Sequence, residues 1–286
     1  MNTRRRPLTI VVLALALASA CGGKAPATAD GPLAILVTND DGIDAPGIAA
    51  LAAALRSVGT VTVAAPAADR TGASHGVTSD RPIAVRRTER QGQTWYAVDA
   101  MPATCVRLAV ENLLPDRPDL VVSGINKGEN LGTVTFYSAT VGAAREAAFL
   151  GLPAIAVNLV SGNGADFAEA AAVLAGIVET LGRDGIAPGT LLNVNIPALP
   201  RESLRGVRVT RQDTRAPIDF FERSDRPDGT VVFEPGWIHL GPDGEGTDIW
   251  AVRKGFVSVS VFGFDQSAAA PPAARLALER RLASLR

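Results

Sequence analysis

The sequence predicts an α/β fold: a doubly wound, mostly parallel sheet with helices on both faces. Three observations carry this. Short apolar runs of strand length recur along the chain, as in Leu33–Val37 and Ala154–Leu159. Between them, apolar residues recur at helical spacing, as in Ile48, Leu51, Leu55 and Val58. Glycine and proline separate the segments. Strand, helix and strand in this rhythm bury both faces of a parallel sheet.

The elements follow in order. Leu33–Val37 reads as a strand and the Ile48 to Val58 pattern as a helix. Thr60–Ala65 is a strand stopped by Pro66. Met101–Leu114 is helical, with Val106, Leu108, Val110 and Leu113 on its apolar faces. Asp119–Val122 is a short buried strand, and Ala139–Leu150 is an alanine-rich helix. Gly151-Leu152-Pro153 ends that helix before a strand at Ala154–Leu159. Asp166–Leu181 is a helix and Thr190–Ile196 another strand. From about residue 205 the rhythm changes. Val207–Thr210, Thr230–Phe233 and Gly255–Phe262 read as short strands in a hairpin excursion from the core. DQSAAAPPAA reads as a linker, and Leu276, Leu278, Leu282 and Leu285 suggest a terminal helix that docks on its own chain or a partner's.

The N-terminus has a different character. MNTRRRP precedes LTIVVLALALASA, an apolar run of signal-peptide length and short for a membrane span. It ends in L-A-S-A-C, which resembles a bacterial lipoprotein signal with Cys21 as the lipidated residue. Leu17 stands four before Cys21, where such signals place leucine three before. An ordinary signal peptide or an uncleaved anchor are the alternatives. The expected organisation is a signal over residues 1–21, a flexible tether over 22–31, the α/β domain over 32–265, and a linker with a C-terminal helix over 266–286. That predicts an exported protein held to the membrane only through its lipid, in the cell envelope or periplasm. A cytoplasmic protein retaining residues 1–21 is the alternative.

Composition narrows the function. With 286 residues, 47% hydrophobic, 20% charged and a formal charge of −1, the chain is ordinary for a globular protein. No basic excess points to a nucleic-acid polymer as partner. Of the two cysteines, Cys105 lies in apolar PATCVRLAV and reads as a buried structural thiol.

The chemistry concentrates in ILVTNDDGIDAPGI, where Asp40 and Asp41 stand side by side at the end of the first strand. Adjacent carboxylates repel and resist desolvation. As loop caps they carry no chemistry; three further segments argue otherwise. RTGAS (70–74) offers hydroxyls and backbone N–H groups in a turn. VVSGINKGENLG (121–132) places Asn126 and Asn130 in a glycine-rich loop. FYSATVGAAREA (136–147) sets Ser138 and Thr140 at a helix mouth suited to phosphate. In a parallel sheet all four meet beyond the carboxyl ends of the strands. Carboxylates, a hydroxyl and an amide oxygen form a hard donor set that suits Mg²⁺ or Mn²⁺. Such a cation offsets the repulsion between Asp40 and Asp41 and polarises a phosphoryl group.

These stretches, with AAPAADRTGAS, LLNVNIP, VRVTRQ and TDIWAVRKGFVSVSV, run in order from about residue 33 to 262. They resemble the SurE family of 5'/3'-nucleotidases. The resemblance implies a Rossmann-like core, a divalent cation, and hydrolysis of nucleoside 5'- or 3'-monophosphates to nucleoside and phosphate. It implies Asp40, Asp41, Thr71 and Asn126 as metal ligands. Asn39, Gly72, Asn130, Ser138 and Thr140 are the candidate phosphate- and substrate-binding residues. Thr71 stands where the family has serine, Ala139 where it has glycine, and Ala67 and Ala68 where it has charged residues. The family forms dimers or tetramers through exchanged C-terminal elements, and a homodimer or tetramer is expected here.

Two mechanisms and one further class compete. Metal-activated water is favoured over Asp40 as a nucleophile forming an aspartyl-phosphate, since enzymes of that type leave one residue between their two acids. A lipoprotein binding a phosphorylated ligand without turnover is the alternative function. His75 reads as a solvent-facing or loop-packing residue, with protonation of the leaving group as its functional reading. His239 reads as structural or surface. Trp95, Trp237 and Trp250 read as core residues, with Trp237 the one placed to stack on a base.

Overall fold

The structure is a computed structural model that describes residues 31–215, 218–238, 244–263 and 272–282. β1 (Leu33–Thr38) lies at its centre. It pairs in parallel with β2 (Gly59–Pro66) on one side and β5 (Leu120–Lys127) on the other. Beyond β2 come β4 (Gln93–Val98) and, antiparallel to it, β3 (Val85–Arg90). Beyond β5 follow β6 (Ala154–Leu159) and β7 (Leu191–Ile196), both parallel. β11 (Val257–Phe262) then pairs antiparallel with β7 and parallel with β8 (Val207–Thr210). Among the described residues the order is β3-β4-β2-β1-β5-β6-β7-β11-β8.

The helices cover both faces, as the alternation predicts. α1 (Pro46–Leu55) starts with proline in its first turn, where no intrahelical N–H is lost. It packs with α4 (Phe167–Leu181) over one face, burying Ile48, Leu51, Leu55 and Leu174 against Ile35, Val37 and Val63. Each such side chain contributes about 1.5–3 kcal/mol. α4 is capped by Asp166, whose Oδ1 accepts the N–H groups of Ala168 and Glu169 at 2.7 and 3.2 Å. α2 (Pro102–Leu108) and α3 (Ala139–Phe149) cover the other face with Val106, Val141, Ala144 and Ala147. Alanines here let α3 approach closely. α2 continues into a π-helical turn at Ala109–Leu113, so the expected helix is present but changes its winding.

One expectation needs correction, and one hairpin is new. The excursion expected from about residue 205 is smaller than that. β8 and β11 extend the main sheet, because Val257 and Val259 are buried against it. Among the described residues only β9 (Ile218–Asp225) and β10 (Val231–Ile238) pair apart from it, as an antiparallel ribbon. The β3–β4 hairpin carries no apolar run in VRRTER and was not expected. It is a charged edge strand, the kind that resists pairing with other chains. A short α5 (Asp248–Arg253), capped by Thr247, and a terminal α6 (Pro272–Leu282) complete the fold. Leu276, Leu278 and Leu282 on α6 are exposed. Among the described residues no helix is long and apolar enough to cross a membrane. Residues 1–30, including Cys21, lie outside the described residues, as do His239, Leu285 and residues 265–271 of the expected linker.

Candidate active site

α1, following β1, and α3, following β5, pack on opposite faces of the sheet. β1 and β5 are therefore the pair at which the winding reverses, and the crevice beyond their carboxyl ends is the binding position in such sheets. β1 delivers Asn39, Asp40 and Asp41 there. Gly42 turns the chain at φ 95°, a left-handed conformation that favours glycine, and its amide oxygen accepts from Asn39 Nδ2 at 2.8 Å.

The other segments close around the acids. The backbone N–H of Arg70 donates to the Asp40 carbonyl at 2.7 Å, bringing in the 70–74 turn. The Thr140 hydroxyl donates to Asp40 Oδ1 at 2.5 Å, bringing in the first turn of α3. β5 pairs with β1 up to Thr38 and Ser123, which brings in Lys127, whose amide favours the charged form of Asp41. The four segments expected to converge do so.

Individual residues divide. Asn126 is buried, and its Nδ2 donates to the Gly128 carbonyl at 3.0 Å, which leaves the lone pairs of Oδ1 for a cation. Thr71 is exposed, and its hydroxyl and backbone N–H both donate to Asp69 Oδ1, at 2.6 and 2.7 Å. The lone pairs of the Thr71 oxygen stay available. Gly72 has φ 75°, with open space where a side chain would stand. Ser138 caps α3 by accepting the Val141 N–H at 3.1 Å. Thr140 is fully buried and its hydroxyl serves Asp40, a different use from the phosphate contact expected.

Asn130 sits at the head of an amide ladder. Its Nδ2 donates to Asn158 Oδ1 at 2.6 Å, and its N–H to Asn195 Oδ1 at 2.9 Å. Asn193 and Asn195 donate to its carbonyl at 2.8 and 3.2 Å, while Asn158 Nδ2 donates to Asn193 Oδ1 at 2.9 Å. The loop at 128–132 is thus fixed from β6 and β7.

Electrostatics set the acids apart. Burial pushes the Asp40 carboxyl up to about 6, with Asp41 and Asp69 adding to it against the Thr140 bond. Burial also raises Asp41, with Asp69 adding, while the Lys127 amide and ammonium oppose it. Asp69 goes the other way: the Thr71 hydroxyl and amide hold its carboxyl below the usual range. Asn39 Oδ1 is buried with no hydrogen-bond partner. Among the described residues no three acids, histidines or cysteines gather for a metal. Two strained acids, a hydroxyl, an amide oxygen and an orphaned carbonyl oxygen fit a hard dication, which takes neutral oxygens alongside carboxylates.

Sequence reasoning missed three acids. Asp69 could have been found from Asp-x-Thr, the spacing of an Asx turn. Asp248 is fully buried, and its Oδ2 accepts the Gly132 N–H at 2.7 Å. Its Oδ1 accepts the N–H groups of Asp213 and Ile249 at 3.0 and 2.9 Å, and Asp213 pairs with Arg215 at 2.9 Å. No local pattern gives that pairing away, since 35 residues separate Asp213 from Asp248. His75 packs as expected of a loop residue: its Nε2 is 2.8 Å from Glu146 Oε2. Trp95 is buried under the Arg90 guanidinium, and half-buried Trp250 stacks with Phe256, so both pack against the protein's own side chains. Trp237 falls on a side chain outside the described set. Cys105 is buried and its thiol is pushed well up by that burial, which fits a structural residue.

Comparison with known proteins agrees with this geometry. Residues 35–218 match the family model described as "Survival protein SurE". The chain is 45% identical to 5'-nucleotidase SurE of Alkalilimnicola ehrlichii, covering 81% of this chain and 89% of that protein. It is 46% identical to 5'-nucleotidase SurE 1 of Thermus thermophilus, covering 82% and 93%. The crystal structure of SurE protein from Aquifex aeolicus superposes with a TM-score of 0.73 at 40% identity, covering 81% and 94%. With the fold, the converging segments and a likeness over four-fifths of the chain in agreement, the chain belongs to the SurE family.

Proposed function

We propose that this protein is a phosphoric monoester hydrolase acting on nucleoside monophosphates, dependent on Mg²⁺ or Mn²⁺. The observation that carries the reading is the adjacent pair of buried Asp40 and half-buried Asp41, ringed by hard oxygen donors at the switch point of the sheet. Relatives named 5'-nucleotidase match at 45% and 46% identity over four-fifths of the chain, which favours hydrolysis over binding without turnover.

Asp40, Asp41, the Thr71 hydroxyl and the Asn126 amide oxygen would hold the cation. When bound, it supplies Lewis-acid polarisation of the phosphoryl group and lowers the pKa of water. The rest is the work of this chain. Thr140 orients the Asp40 carboxylate. The first turn of α3 offers free N–H groups toward a phosphate, and Ser138 keeps its hydroxyl proton free to donate. The asparagine ladder holds Asn130 in place, and Gly72 leaves room for a ligand to approach the turn.

The test is phosphate release from AMP with Mg²⁺ or Mn²⁺, repeated after EDTA and with D40N and D41N. Metal-dependent release that falls by about a thousandfold in each variant is expected, as for loss of a main electrostatic group. Turnover that survives both substitutions refutes the reading.

The address is part of the proposal. Its support is the L-A-S-A-C stretch ending at Cys21, which argues for a lipid anchor in the cell envelope. Labelled palmitate incorporated in the wild type and lost in C21S, with release from the membrane fraction, is the expected result. A homodimer or tetramer built through C-terminal elements is supported by the exposed leucines of α6. Size-exclusion chromatography with light scattering tests it.

A further inference from the structure

The proposed reaction gives no role to His75, yet His75 is tied to the site from two sides. It follows directly on the 70–74 turn that carries Thr71 and Gly72. Ser74, within that turn, is a non-glycine residue at φ 53°. Such conformations persist only where the surroundings impose them. What imposes it here is α3 and the segment before it. The Ser74 N–H donates to the Tyr137 carbonyl at 3.1 Å, and its hydroxyl to the Phe136 carbonyl at 2.6 Å. Gly142 allows direct contact, since a Cβ there would stand 2.3 Å from the Ser74 carbonyl oxygen. One helical turn later on the same face, Glu146 reaches the His75 ring at 2.8 Å.

Glu146 is 4% exposed, so its charge needs partners. It has two: His75 on Oε2 and Arg107 of α2 on Oε1. Burial alone would raise this carboxyl, but the His75 hydrogen bond and the Arg107 charge hold it below the usual range. The other face of the His75 ring lies against Phe149, with centroids 5.1 Å apart. The imidazole is therefore gripped rather than free at the site mouth.

We propose that His75 is a positioning residue. Through Glu146 it clamps the 70–74 turn against α3 and so sets where Thr71 and Gly72 stand relative to Asp40. The two walls of the site, the turn and the first turn of α3, then move as one body. The consequence for catalysis rests on the nucleotidase reading above; the clamp itself does not.

The experiment compares wild type, H75A, H75Q and D40N on the full folded domain. Trypsin cleavage of the Arg70–Thr71 bond, followed by mass spectrometry, reads the turn directly. Mn²⁺ affinity, from the electron paramagnetic resonance signal of free Mn²⁺, reads the metal pocket, and AMP kinetics give KM and kcat. With loss of a local clamp, H75A is expected to be cut about tenfold faster and to bind Mn²⁺ about tenfold more weakly. H75Q, whose amide still donates to Glu146, recovers both to within about threefold. Unchanged cleavage and Mn²⁺ affinity in H75A overturn the proposal, as does H75Q behaving like H75A. A wild type that neither binds Mn²⁺ nor hydrolyses AMP sinks the nucleotidase reading instead, and the cleavage comparison still decides the clamp.

Discussion

The Thr140 hydroxyl and the Asp40 carboxylate are joined by a 2.5 Å hydrogen bond between residues 100 positions apart. It links the first turn of α3 to the end of β1, and it is the one side-chain bond that steadies the buried acid in its charged form. Replacing Thr140 with valine keeps the shape and removes the bond. A hydrogen bond to a charged group is worth about 1.5–3 kcal/mol, so kcat/KM is expected to fall about 10- to 100-fold. The lower limb of its pH profile should also move to higher pH. Steady-state kinetics from pH 5 to 8 check both.

The raised Asp40 carboxyl makes a stability prediction for the metal-free protein. Its folded value, about 6, lies above its unfolded value near 3.8, so the folded state holds the proton more tightly. The contribution to stability is fully present below the unfolded value and is lost as pH rises through the folded one. Two units correspond to roughly 3 kcal/mol. In EDTA, the Tm difference between D40N and wild type should widen in favour of D40N between pH 4 and 7. Differential scanning calorimetry reads it, and a difference independent of pH contradicts it.

Gly142 is needed for close approach. An alanine methyl would meet the Ser74 carbonyl oxygen at 2.3 Å, so the 70–74 turn must lift away. Overpacking of this kind costs about 1–3 kcal/mol. G142A should stay folded with a Tm lowered by several degrees, while kcat/KM drops at least tenfold. Paired calorimetry and kinetics separate the two effects.

The amide ladder predicts a sharper split. Asn158→Ala strands Asn130 Nδ2 and Asn193 Oδ1 in a buried setting. Each unsatisfied group costs about 1–3 kcal/mol. The KM for AMP is expected to rise because the 128–132 loop loses its anchor, with a smaller change in kcat. Urea unfolding and initial-rate kinetics provide the check.

The central sheet was legible because Leu33–Val37, Thr60–Ala65 and Ala154–Leu159 are apolar enough to announce buried strands. Asp40 and Asp41 were legible because adjacent charges at a buried strand end have few structural uses. VRRTER was not, since an edge strand is exposed and needs no apolar pattern. β8 and β11 were misassigned because four- to six-residue strands look alike whether they join the main sheet or leave it. Thr140 read as a helix-mouth residue from its position, but its partner lies across the sheet and no local rule names it. Asp213, Asp248 and the asparagine ladder escaped for the same reason: their bonds span 28 to 116 residues.

The direction of β1 has a topographic consequence. Arg183 holds the Gly31 carbonyl at 2.9 Å beside the start of the strand, and the acids lie past its far end, about 20 Å on at the usual rise per residue. Gly31 therefore joins the domain at the edge opposite the acid pair, with the whole length of β1 between them, so the crevice beyond β1 is approached from the side away from that junction.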